Sequence, residues 1–239
     1  TPPYSSAASD VYKRQGGDNP VTTLSIAASG AGAIDLAGIG DGDTAGATGT
    51  TTVGNTTTTT LTLSGTVYKT DDSQTYVAKT GQNIDITDAA TFTTTNDAVA
   101  FNTAGVDLIN GNAGGAHTIT IDTGTGAGAV TFGGAIESDG GDDETLTITS
   151  GTGTVTFTGA LGATQELGGL NVNASSGDGI ITFTGAIGDT NAPQAGVIGT
   201  SDIGNTTTTR IDLDGGLYSF DGTTTFETTS GETVAAVSY

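Results

Sequence analysis

The chain has 239 residues and a formal net charge of −21, with 26 carboxylates against 5 basic residues. Such a balance repels phosphate backbones and anionic lipid and excludes nucleic-acid binding. Cys, Met and Trp are absent and His occurs once, which removes disulfide frameworks, thiolate chemistry and multi-histidine zinc. Thr (51) and Gly (40) fill more than a third of the chain, unlike an ordinary enzyme. No apolar run approaches the roughly 20 residues a membrane-crossing helix needs.

Residues 1–18 differ in character from the rest of the chain, with Pro2, Pro3, Lys13 and Arg14 and no apolar stretch of signal-peptide length. They are expected to be a non-native or disordered leader, ahead of one repeat region over 19–239. The chain is expected to be a segment of a longer protein. Residues 24–39 (LSIAASGAGAIDLAGI) form the first of four related phrases. The others are TITIDTGTGAGAVTFGGAI (118–136), LTITSGTGTVTFTGAL (146–161) and LNVNASSGDGIITFTGAI (170–187). Each alternates apolar and small polar residues, the period of a half-buried strand, with Gly-rich turns between. Apolar residues seldom recur at helical spacing, and Gly and β-branched Thr interrupt every stretch. The chain is therefore expected to be all-β. Residues 61–110, with two Tyr and irregular spacing, fit the phrase least and are where a local departure such as a hairpin insertion could lie.

Repeats occur on two scales. Residues 54–84 align without a gap on 204–234, a displacement of 150, and residues 29–41 match 176–189 at 147 or 148. Within that unit the shared Phe132, Phe157 and Phe183 are 25 and 26 residues apart. Six such steps would fill one 150-residue unit.

A repeat of about 25 residues with two strands and a looser third segment suits one coil of a parallel β-helix, or β-solenoid. Eight or nine coils at about 4.8 Å each give a rod roughly 40 Å long. Phe132, Phe157 and Phe183 would stack inside, beside columns through Ile119, Leu146, Ile148, Leu170 and Val172. The competing architecture is tandem β-sandwich modules; a fixed step of near-identical phrases favours the solenoid.

The phrases VTFGGAI, LTITSGTGTVTFTGAL, LGGLNVNASS and TLTLSGTVYKTDDSQTY resemble the long, repetitive β-strand surface proteins of bacteria, the filamentous-haemagglutinin-like and autotransporter-passenger-like adhesins. The resemblance spans residues 21–239 and implies an extracellular stalk, adhesin or matrix component at the bacterial cell surface, with surface glycans or other matrix proteins as partners.

The residues supply little catalytic chemistry. His117 reads as a solvated turn residue, and no GxSxG or HExxH motif accompanies it. Clustered acids serve glycan-cleaving β-helices, but the groups Asp139, Asp142, Asp143, Glu144 and Asp212, Asp214 lie in Gly-rich turns or on Thr-rich faces. The chain is therefore not expected to be an enzyme. Calcium suits acidic turns better, because it takes six to eight oxygens from carboxylates and carbonyls. Its candidate ligands are Asp41 and Asp43 in GDGD, and Asp139, Asp142, Asp143 and Glu144 in SDGGDDE. The plainer reading of both turns is solvated charge that keeps the rod soluble.

Outward Thr131, Thr156, Thr158, Thr182 and Thr184 could form a ladder of the kind ice-binding solenoids use, but the columns break at Gly133 and at Asn171 and Asn173, and Thr is a common outward strand residue. Carbohydrate could meet the polar faces with Tyr68, Tyr76 or Tyr218 as platforms; the plainer reading of those tyrosines is core or inter-coil packing, because Tyr68 and Tyr218 occupy the same repeat position. The run 56–60 offers hydroxyls to O-linked sugars. Unpaired edges at the ends of the rod predict end-to-end self-association.

Overall fold

The computed structural model describes residues 20–28, 30–102, 104–109, 115–140, 144–174, 179–189, 196–229 and 234–236; the whole of the expected leader, 1–18, lies outside them. Among them every regular element is a strand. The rod opens with β1 (Leu24–Ile26) and β2 (Ala33–Leu36). Seven complete coils come next. Four have a strand on each of three faces: β3 (Thr51–Gly54), β4 (Thr60–Leu63), β5 (Val67–Lys69); β6 (Gln74–Val77), β7 (Asn83–Ile86), β8 (Thr91–Thr93); β9 (Val99–Asn102), β10 (Gly105–Leu108), β11 (Thr118–Asp122); and β12 (Val130–Phe132), β13 (Ile136–Ser138), β14 (Thr145–Ser150). In the last three coils the second face narrows to a single bridging residue. These are β15 (Val155–Phe157), Leu161, β16 (Gly169–Ala174); β17 (Ile180–Phe183), Ile187, β18 (Ser201–Gly204); and β19 (Arg210–Leu213), Tyr218, β20 (Thr224–Glu227). A last strand, β21 (Val234–Ala236), returns to the first face.

Strands on each face pair only with the coils before and after, always in parallel, giving sheets of nine, five and seven strands. This is the expected β-solenoid, and the sandwich alternative is set aside. Among the described residues of 61–110 no hairpin departs from the stack: β4 to β10 are ordinary parallel rungs. What made that stretch look irregular is coil length. Register partners are 22 residues apart from Asn83 to Gly105 but 31 apart from Val99 to Val130, the difference being taken up at corners.

The predicted inner column holds and is longer than expected. Phe132, Phe157 and Phe183 are register partners, and the stack extends back through Phe101 to Tyr76, with centroids 4.8–5.5 Å apart. That spacing follows the rise between coils, so the rings lie nearly parallel, an offset arrangement contributing about 0.5–1.5 kcal/mol per pair beyond area burial. A second stack, Tyr68 on Phe92 at 4.8 Å, meets the first edge-to-face.

A glycine that recurs after the first-face strand also has a steric cause. Gly134, Gly159, Gly185 and Gly215 occupy one corner, one above another, and a Cβ on any of them would fall within 2.0–2.4 Å of the backbone of the coil before. Glycine there lets successive coils close to hydrogen-bonding distance.

Among the buried polar side chains, Gln74 is fully paired. The Gln74 amide donates to the carbonyls of Tyr68 and Thr93 and to Thr70 Oγ1, while its oxygen accepts the Tyr76 hydroxyl at 2.8 Å. Pairing offsets the cost of burying it.

Candidate functional site

With the interior filled by apolar side chains, any recognition must use the outward positions, which alternate with the core positions along each strand. On the second face these positions form one column: Asp35, Thr62, Asp85, Asp107 and Glu137. Both ends of this column are tied. Asp35 accepts the Ser64 hydroxyl at 2.5 Å, and Glu137 accepts the N–H groups of Thr164 and Gln165, each at 2.9 Å. In the middle, Asp85 and Asp107 face each other across one rung, with only Asn83 Nδ2 donating to Asp107 Oδ2 at 2.6 Å. Partial burial pushes both carboxyls above the ordinary range, and for Asp85 the charge of Asp107 adds to it. Sequence reasoning missed this pair, because a 22-residue coil hides it from a 25-residue comb.

The third face carries the densest hydroxyl array. Its central column runs Thr91, Thr120, Thr147, Asn171, Asp202 and Thr225, beside a column through Thr93, Asp122 and Thr149. The ladder anticipated on the first face exists in register, Thr131 to Thr156 to Thr182, but Ala100 precedes it and Asp212 follows. Thr158 and Thr184 are exposed beside it in only two neighbouring coils.

The acidic turns are more committed to the protein than solvated turns would be. Asp41 Oδ1 accepts the N–H groups of Asp43 and Thr44 at 2.9 and 2.6 Å, which holds its carboxyl below the usual range. Lys69 Nζ donates to the carbonyl oxygens of Gly42 and Asp43 at 3.1 and 2.9 Å. A cation drawing on that turn would compete with the ammonium. In the second turn, Asp139 is exposed, and Asp142 and Asp143 lie outside the described residues. Glu144 departs from the expectation of a solvated turn. It is fully buried at the corner before β14, with Oε2 accepting the Ser138 hydroxyl and Oε1 unpartnered.

His117 is likewise not freely solvated: it is half-buried, and its Nε2 is enclosed without a partner. Asp212, one of the paired acids considered for glycan cleavage, is held by Arg210, whose Nε lies 2.8 Å away. Tyr68 and Tyr76 are fully buried and do not serve as sugar platforms; half-buried Tyr218 retains some surface.

Among the described residues, no three or more His, Cys, Asp or Glu side chains are gathered as a metal site would need. No helix among them is long and apolar enough to cross a membrane. No family model, curated protein or solved structure matches the chain.

Proposed function

We propose that the chain is a structural and adhesive segment of a large secreted or cell-surface repeat protein, acting as a stalk, adhesin or matrix component. The observation supporting this reading is the division of labour along every strand: inward positions stack into one continuous core, and outward positions repeat small hydroxyl, amide and carboxylate groups down three long faces. Such faces suit many weak polar contacts with extended partners, surface glycans or other matrix proteins, better than they suit enclosure of a small substrate. The high negative charge keeps separate rods apart in solution.

A second reading is favoured by the third face alone. Thr91, Thr120, Thr147 and Asn171 place neutral hydrogen-bonding groups about 4.8 Å apart across four successive coils, so this face is where carbohydrate or ordered water would bind.

Both readings are tested by incubating the chain with insoluble polysaccharides and with extracellular matrix proteins, measuring retention and released reducing ends. Retention without release is expected, and retention on polysaccharide that is lost in Thr120→Lys/Thr147→Lys assigns binding to the third face. Sustained release of reducing ends would overturn the structural reading in favour of an enzyme.

A further inference from the structure

The two copies of the long repeat fold alike, but they do not lie on the same faces. Residues 51–60 and 201–210 have the same pattern of buried and exposed positions, residue for residue. Gly54 and Gly204 both adopt a left-handed conformation, at φ +82° and +83°. In each copy the following Asn caps its turn in the same way: Asn55 N–H donates to Thr58 Oγ1 at 3.0 Å and Asn205 N–H to Thr208 Oγ1 at 3.1 Å.

Contacts between coils are copied too. Lys79 N–H bonds the Thr58 carbonyl and Thr229 N–H the Thr208 carbonyl, both at 2.8 Å; Asp71 bonds Ala47 as Asp221 bonds Val197, at 2.9 and 3.0 Å. Yet β3 belongs to the first face and its copy β18 to the third, β4 to the second and β19 to the first, while Tyr68 is on the third and Tyr218 on the second.

Counting faces along the chain from β3 to β18 gives five whole coils and two further faces, 17 faces for 150 residues. The same count separates β2 from β17. The repeat therefore advances five and two-thirds coils, not six. A coil with three nearly equivalent sides permits this. Each side needs only a short strand with alternate residues inward and a corner that clears the coil below, so a phrase fits any side without changing its inner pattern.

We infer that the 150-residue unit acts as a screw: each copy turns the surface it carries by a third of a turn about the rod axis. In an array of this unit the same surface returns to the same face only after three copies, 17 coils or about 80 Å of rod. The exposed Thr56, Thr57 corner thus leads from the first face to the second, while the equivalent Thr206, Thr207 corner leads from the third to the first. Two copies in one chain address partners on different sides. They cross-link separate partner molecules and do not lie side by side along one flat surface. The rule concerns orientation alone and does not rest on the adhesive reading.

Engineered disulfides in the full chain test it without interference, because the chain has no cysteine of its own. Outward register partners run down the first face from Thr52 through Thr75, Ala100, Thr131 and Thr156 to Thr182, and neighbouring rungs lie within the Cα separation a disulfide accepts. Asp35, the counterpart of Thr182 in the first copy, lies on the second face. If the second copy kept the faces of the first, one of these five rungs would hold a fourth side, and its two residues would lie on different faces. Cysteines replace each neighbouring pair in turn, from Thr52→Cys/Thr75→Cys to Thr156→Cys/Thr182→Cys, and each pair is expected to close within the monomer on mild oxidation, read as a loss of about 2 Da and one cross-linked peptide. Closure of all five supports the screw. A pair that stays open in a chain whose circular dichroism is unchanged overturns it.

Discussion

Tyr68 and Tyr218 occupy equivalent positions in the two copies of the repeat and make the same bonds. Each hydroxyl accepts the N–H of the glycine three residues earlier, Gly65 or Gly215, and donates to a carbonyl of the preceding coil, Leu36 or Phe183. Tyr68 nevertheless has no exposed surface, whereas Tyr218 is half-buried; Tyr76 is fully buried and its counterpart Phe226 only partly. The difference lies in the neighbours. The coil holding Tyr68 has further coils on both sides, while β20, which holds Phe226, pairs with β18 alone among the described strands. In a solenoid a coil's core is completed by the coil stacked upon it, so related phrases acquire different stability by position.

Substitutions at paired positions break or sharpen that comparison. The largest effect is expected in the middle of the aromatic stack: Phe157→Ala removes a fully buried ring between Phe132 and Phe183 and should cost about 3–5 kcal/mol in denaturant unfolding. Phe226→Ala, near the end, should cost less than half of that. Next come the turn glycines. A Cβ at Gly54 would sit 2.0 Å from the Val77 carbonyl oxygen, and one at Gly204 2.1 Å from that of Glu227, both at left-handed φ. Either Gly→Ala change is expected to cost on the order of 2 kcal/mol or more, with Gly54→Ala, in the rod's interior, the more damaging. Tyr68→Phe keeps the ring but leaves the Gly65 N–H unpaired in a buried site and the Leu36 carbonyl with the Ser64 N–H alone, at about 1–3 kcal/mol. Tyr218→Phe should cost less, because the Tyr218 ring is only half-buried and lies near the end of the stack.

Much of this architecture was readable from the sequence, and the reasons are specific. Alternation along each phrase revealed the strands, and the 25-residue step of Phe132, Phe157 and Phe183 revealed the stacking axis. Tyr76 and Phe101 escaped the same column because the coils around them are 23, 25 and 31 residues long, so a fixed comb loses register. The six-coil estimate for the long repeat failed for a related reason. Alignment sees that a phrase recurs but not which of three similar sides it occupies. Among the candidate site residues, Asp41 and Asp43 fell in a turn as expected. The recruitment of Lys69 to that turn came from the next coil, 26 residues away from Asp43, and no local pattern announced it. Burial of Glu144 was equally hidden, since an acidic run looks the same in sequence whether its last member points out or in.

The Asp85–Asp107 rung sharpens the comparison by pH. Both folded-state pKa values lie above the ordinary carboxylate value, so between the two the folded chain binds more protons than the unfolded one. The stability this rung contributes should therefore rise as pH falls from neutral through the raised values toward the ordinary carboxylate value of 3.8, and be lost as pH climbs back through them. Asp107→Asn should raise the melting temperature at pH 7 and flatten its acid rise. The smallest effect is expected at the GDGD turn. Lys69→Ala should change stability by no more than about 0.5 kcal/mol, and a melting temperature equal in chelator and in millimolar calcium would set calcium aside as a structural ligand.

Native-state hydrogen exchange, followed residue by residue, reaches the central claim most directly, because it reads the two copies of the repeat in one molecule. If stacking from both sides is what stabilises a coil, amides of β4–β6 will exchange far more slowly than their counterparts in β19 and β20, with protection greatest around Phe101, Phe132 and Phe157. Equal protection in the two copies would contradict the account, since it would place the stability of each coil in its own sequence and not in its neighbours.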